Sequence, residues 1–274
     1  MAFAIELRQV GTIAGKEFHD RVRNRWVLAV TVVFTVFALV IAYFGAAQQG
    51  AVGFRSIDVT IASLVSLVIY LLPLIALILG YDAIVAERER GSLDLLLSMP
   101  ITRFELLLGK FLGLASALGV ATVGGFGAAG VLLFTQLGSP ALYHYGGFII
   151  SAFLLGLAFL SLAVMVSVLA QDRVRASGVA IALWFFYVLV YDLLLLGLLV
   201  VSAGQFSLNF FPVLLLLNPA DIFRILNIFG YEDVRRIYGL ATVFPETLAN
   251  PWLLGSAMVF WIIAPLGVAT WRFK

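Results

Sequence analysis

The chain has 274 residues, of which 63% are hydrophobic and 12% charged, and its mean hydropathy is +1.09. That composition excludes a water-soluble globule and identifies an integral membrane protein. The lack of cysteine excludes disulfides and thiolate metal sites within the chain, and the net charge of +2 follows from loop topology and does not point to nucleic-acid binding.

In chain order, residues 1–25 lack the apolar core and small-residue cleavage site of a removable signal peptide. Val10, Ala14, Phe18 and Val22 recur every fourth residue, flanked by Leu7 and Ile13, with Arg8, Lys16, Arg21 and Arg23 mostly off that stripe. The pattern predicts an interfacial helix over 1–25, its apolar side in lipid and its cations near anionic headgroups. A flank that merely sets topology is the alternative.

About 20 apolar residues cross the hydrocarbon as helix, and five such runs stand out: 26–45, 59–81, 111–133, 148–170 and 176–201. A sixth, 252–271, is interrupted only by Pro265, which a membrane helix tolerates. Of the 17 basic residues, 13 fall on one side of this arrangement; the other side has only Arg55, Arg224, Arg235 and Arg236. The bias predicts six spans with both termini in the cytoplasm of a bacterial cell.

Between the second and third runs lies Glu87-Arg88-Glu89-Arg90-Gly91-Ser92, a charged segment that no lipid crossing requires. A protein partner in the cytosol would explain it. Gly91 can end a helix in the left-handed conformation, Ser92 can cap the next, and Leu93, Leu96 and Leu97 then share a face. Met99-Pro100 stops that helix, and Thr102-Arg103-Phe104-Glu105 fits a capping box from which a helix enters the third span. The coupling segment is therefore read as 86–104. The third span is rich in glycine and alanine, the composition that lets helices approach closely in lipid.

Residues 202–250, placed outside the cytoplasm, are too long and apolar for a plain loop. Leu208–Leu217, short for a span and containing Pro212, reads as re-entrant or interfacial. Asn218-Pro219-Ala220-Asp221 is a helix start, and Val234, Ile237, Tyr238 and Ala241 mark a second helix ending before Pro245. Together these predict extracytoplasmic helices between spans five and six.

Chemistry is sparse. The Gly-Lys pairs at 15–16 and 109–110 lack the following Ser or Thr and the earlier glycine of a P-loop. His19 and His144 fall on opposite predicted sides, and no histidine lies in a span. A catalytic role for this chain is not expected. Asp192, an acid near the middle of the fifth run, is costly in lipid and is the candidate for a transport path, or else for a structural hydrogen bond; its partner should come from another span. Asp82 reads as solvated or part of the charged segment. Few methionines and no cysteine leave the chain without soft ligands for copper.

The 87–93 segment, the run to Met99-Pro100-Ile101-Thr102-Arg103, the N-terminal helix, the six spans and the outer insertion together resemble an ABC-2 type permease over essentially the whole chain. The resemblance implies an all-α membrane protein working as a homodimer. It implies a coupling helix through which Glu87, Arg88, Glu89, Arg90, Gly91, Leu93, Leu96, Leu97 and Arg103 meet a cytoplasmic ABC ATPase. ATP and Mg would reside in that partner, with no cofactor in this chain. Within the family the likeness is to membrane subunits serving maturation of the copper–sulfur centre of nitrous oxide reductase, which implies a periplasmic protein partner. The missing cysteines then favour a sulfur-containing cargo, or mechanical coupling, over copper conduction through this chain. Two other readings are an ion-coupled secondary transporter, disfavoured by a single intramembrane acid and no evident repeat, and a structural anchor for an outer protein.

Overall fold

The computed structural model describes residues 6–44, 57–137, 139–201, 211–228 and 250–273, and among these every element is a helix. They are α1 (Leu7–Arg23), α2 (Trp26–Phe44), α3 (Ile57–Gly80), α4 (Val85–Glu89), α5 (Ser92–Ser98), α6 (Arg103–Leu137), α7 (Ser139–Leu169), α8 (Arg173–Phe185), a π-helical turn (Phe186–Val190), α9 (Tyr191–Val201), α10 (Phe211–Leu216), α11 (Pro219–Ile228) and α12 (Pro251–Arg272). Six described helices are long and apolar enough to cross a membrane, with α8, the π turn and α9 joined into the fifth. The second helix predicted in the outer insertion, over Val234 to Ala241, lies outside the described residues, as does Leu208 at the start of the predicted re-entrant run.

Spans two, three and four (α3, α6, α7) form the centre. About two thirds of the apolar window of α7 is buried (67%), against 17% for the fifth span. The core is aromatic where four elements meet. Phe34 of α2 stacks on Phe126 of α6 at 4.8 Å, Phe126 meets the edge of Phe148 of α7 at 5.3 Å, and Phe148 lies 6.1 Å from Phe223 of α11. In lipid such contacts stabilise through dispersion and close fit, since leaving a hydrocarbon solvent gains little. The small residues of α6 make the fit possible. A Cβ on Gly125 would sit 2.5 Å from that of Phe34, and one on Gly113 would sit 2.6 Å from the carbonyl oxygen of Ala14.

That second approach corrects one expectation. The middle of the α1 stripe is not turned to lipid: Val10 is buried, and Ile13 and Phe18 pack on the core, because the glycines of α6 leave a groove for α1. Only the ends of the stripe, Leu7 and Val22, are exposed. Arg25, with φ of 56°, takes the left-handed conformation that a non-glycine residue adopts at a cost, turning the chain from α1 into α2.

Several helices exceed their apolar runs. The third begins at Arg103 through the predicted capping box: the Glu105 amide donates to Thr102 Oγ1 at 3.2 Å, and the Thr102 amide donates to Glu105 Oε2 at 2.7 Å. The fourth starts at Ser139, so His144, expected outside the spans, lies at the start of the fourth one. Pro265 leaves α12 unbroken. Beside the carbonyl its ring frees, the Ser161 hydroxyl of α7 donates to the Ile262 carbonyl at 2.6 Å.

Candidate functional site

Two clusters of polar side chains interrupt this apolar bundle. The first surrounds α4, where the segment singled out in the sequence folds as anticipated at Gly91, whose φ of 70° ends α4. Ser92 does not cap α5. Its hydroxyl donates instead to the Glu87 carboxylate and, at 3.3 Å, to the Glu87 carbonyl. The charges of Glu87, Arg88 and Glu89 find partners within the chain itself. Arg88 donates to the carbonyls of Ala170 (2.6 Å) and Val168 (3.1 Å), satisfying the open C-terminal end of α7. Glu89 accepts from the Arg173 amide at 2.7 Å, at the start of α8, and lies 3.6 Å from the Arg173 guanidinium. Glu87 pairs with Lys110 of α6 at 3.3 Å, and Lys110 pairs equally with Glu17 of α1. Asp82 is not simply solvated, since Arg21 of α1 lies 3.6 Å from it. Of the four charged residues from 87 to 90, Arg90 alone has no partner among the described residues.

The leucines also fall differently from the expectation. Leu93 is buried and Leu96 and Leu97 pack on the chain's own core, because α5 lies with that face against the bundle. The outward face carries Asp94, Leu95 (67% exposed) and Met99 (44% exposed), with Arg103 and Phe104 exposed just beyond. Backbone amides at the starts of α1 and α6 converge on one carboxylate, since Glu105 accepts from the Glu6 amide at 2.7 Å as well as from Thr102.

The second cluster lies deeper and centres on Asp192. α10 and α11 form a helical hairpin whose tip, Leu217-Asn218, reaches the middle of the bundle. The Leu216 carbonyl accepts from Trp261 Nε1 (3.1 Å), and Trp261 stands midway along α12. Asn218 Nδ2 donates to the Tyr187 carbonyl (3.0 Å) in the π turn midway along span five. A π turn leaves the regular i to i−4 ladder, and here a side chain from the hairpin answers one of its carbonyls. The predicted helix start holds: Asn218 Oδ1 accepts from the Ala220 amide at 3.0 Å with Pro219 in the first position. The hairpin tip is thus held by side-chain bonds to both the fifth and the sixth span.

Asp192 finds its partner in the hairpin and not in another span. Arg224 donates to Asp192 Oδ2 at 2.8 Å and to Asp221 Oδ1 at 2.6 Å, and Asn218 Nδ2 donates to Asp221 Oδ2 at 2.9 Å. Asp221 is fully buried. Tyr191, adjacent to Asp192, donates its hydroxyl to the Leu214 carbonyl at 2.6 Å, so both residues grip the same hairpin. Sequence reasoning placed Arg224 among loop cations and missed it. The available signal was Asp221 and Arg224 three apart on a helix beginning at Asn218, which puts both on one face.

The arrangement can transmit force and hold span five to the hairpin. Among the described residues no group of three or more acidic or histidine side chains is positioned to hold a metal ion.

Over residues 11–274 the chain matches the ABC-2 family transporter protein family. It is 44% identical over 271 residues to the probable ABC transporter permease protein NosY of Pseudomonas aeruginosa, covering 97% of this chain and 98% of that protein. It is also 44% identical over 272 residues to the protein of the same name from Stutzerimonas stutzeri, covering 98% and 99%.

Proposed function

The chain belongs to the ABC-2 family of transporter proteins, and from this we propose that it is the non-catalytic membrane subunit of a transporter driven by a separate ATPase that holds ATP and Mg. In this reading both termini are cytoplasmic, α1 rides at the membrane interface, and two copies form the working unit. The similarity to NosY supports a role in maturation of the copper–sulfur centre of nitrous oxide reductase, with a NosF-like ATPase on the cytoplasmic side and a NosD-like periplasmic protein on the other. The missing cysteines and scarce methionines favour sulfur-containing cargo, or motion relayed to the outer protein, over copper conduction.

The observation that carries the reading is the way α4 is bolted to the spans. Arg88 fixes it to the end of span four, Glu89 to the start of span five and Glu87 through Lys110 to span three, while the backbone joins it to span two. A displacement applied to α5 therefore reaches four spans. Reversing a conformational preference from 1:99 to 99:1 requires about 5.5 kcal/mol of differential binding, a load that a loosely attached loop would dissipate. The docking surface is the outward face of α5, with Leu95 and Met99 as apolar anchors and Arg90, Asp94 and Arg103 as rim charges that tune encounter. Leu93, Leu96, Leu97 and the Glu87–Glu89 charges act behind it, as the mount.

The test is a pair of substitutions in the full-length chain co-expressed with its ATPase. Leu95→Asp is expected to leave insertion and dimerisation intact and to lose co-purification of the ATPase together with in-cell maturation. Leu96→Asp is expected to lower the stability of the chain itself. Retention of the ATPase and of maturation by Leu95→Asp would refute the assignment.

A further inference from the structure

At the α1 end of the bundle a cavity of about 380 Å³ opens between α1, the α3–α4 turn, α4, α6 and α8. Six cations line it: Lys16, Arg21, Arg23, Arg90, Lys110 and Arg173. Four carboxylates face it too, but three of them, Glu17, Asp82 and Glu87, are already held by Arg21 and Lys110. Lys16, Arg23 and Arg90 have no ion-pair partner among the described residues, and only Asp20 stands against them unpaired. Arg173 is already paired, its Nε lying 3.6 Å from Glu89. The cavity thus presents surplus positive charge at Lys16, Arg23 and Arg90.

Its depth is set by four separate elements. Arg23 and Asn24 stand just before Trp26, where span one begins; Asp82 follows the end of α3 at Gly80; Lys110 directly precedes the apolar run from Phe111; and Arg173 opens the helix of span five. Four of the five walls contribute a residue at which hydrocarbon gives way to headgroups, and Trp26 is the kind of residue that anchors such a boundary. A soluble anion could enter a charged cavity anywhere on the surface, but a ring of boundary residues lies at the level of lipid phosphates.

We infer that this cavity is a binding site for the phosphate of an anionic phospholipid headgroup, with Lys16, Arg23 and Arg90 as its contacts. Because Arg90 adjoins Gly91 and α5, an occupied site would couple lipid composition to the charged segment. The inference does not depend on the identity of the ATPase or the cargo.

Full-length protein is reconstituted in nanodiscs of equimolar phosphatidylglycerol and phosphatidylcholine, and the lipids retained after transfer to detergent are counted by native mass spectrometry. Wild type is expected to retain phosphatidylglycerol at least about tenfold over phosphatidylcholine, with each cation removed costing about fivefold. Lys16→Gln/Arg23→Gln/Arg90→Gln should abolish the preference. Arg23→Gln alone, at an exposed position with little effect on folding, should cut it about fivefold. Arg8→Gln/Arg272→Gln, which removes two cations elsewhere, should leave it unchanged. Equal retention by wild type and the triple variant, or loss of preference in the control, would overturn the proposal. Displacement of the lipid by millimolar inorganic phosphate would do so as well, by assigning the cavity to a soluble ligand.

Discussion

Lys110 and Arg224 solve one electrostatic problem at two depths. Each is a single cation set between two carboxylates: Lys110 between Glu17 and Glu87 at 3.3 Å each, Arg224 between Asp192 and Asp221 at 2.8 and 2.6 Å. At the α1 end the motif is redundant. Arg21 also serves Glu17, Ser92 also serves Glu87, and both carboxylates are partly exposed. In the hairpin no second cation approaches among the described residues; Asp221 is 1% exposed and has Arg224 as its one cation, with Asn218 donating to its other oxygen. The planar guanidinium, donating from separate nitrogens to separate acids, suits the buried position, and the flexible ammonium suits the edge. Burial, more than the number of charges, decides which cluster is obligatory.

The largest test of that contrast is Arg224→Met, which leaves two facing acids in an apolar bundle. It is expected to cost about 3–5 kcal/mol, read as a fall in the thermal midpoint of the detergent-solubilised protein. Adding Asp221→Asn should recover much of the loss. A cost under about 1 kcal/mol would mean that the hairpin is not held by this cluster. Lys110→Met should be milder, about 1–2 kcal/mol, because Arg21 and Ser92 remain; a loss as large as that of Arg224→Met would erase the distinction. Smallest is Arg21→Gln, whose pairs with Glu17 and Asp82 are partly exposed. It should shift stability by no more than about 0.5 kcal/mol, and high salt should mask even that.

What could be read from the sequence tracks how far apart in the chain the interacting groups are. The capping box of Thr102 and Glu105, the left-handed Gly91 and the Asn218 helix start involve groups no more than three positions apart, so residue type alone dictates them. The six spans follow from runs of apolar residues long enough to satisfy their own backbone. What escaped was decided across the fold. Arg88 reaches carbonyls 80 and 82 positions away, Arg224 reaches Asp192 over 32, and no local rule says that a charge beside a turn will close a distant helix. The leucines of α5 show the same limit. Periodicity correctly placed Leu93, Leu96 and Leu97 on one face, but which way that face turned depended on the surrounding bundle, and it turned inward. The π turn of span five has no signal in residue type, since Phe186 to Val190 reads as ordinary helix and is displaced by contacts with the hairpin.

The carboxylate of Glu105 has a consequence for biogenesis. The Glu6 amide at the start of α1 bonds to a residue 99 positions later, and the groove that receives α1 is cut by glycines of α6. Helix α1 is synthesised first and has nowhere to dock until the start of the third span has been made. At about 5–20 residues per second, the 80 residues from Arg23 to Arg103 leave α1 waiting for roughly 4–16 s. During that interval its apolar stripe lacks the protein surface that covers Val10, Ile13 and Phe18 in the finished fold. A chain released from the ribosome before α6 would leave that stripe uncovered for good.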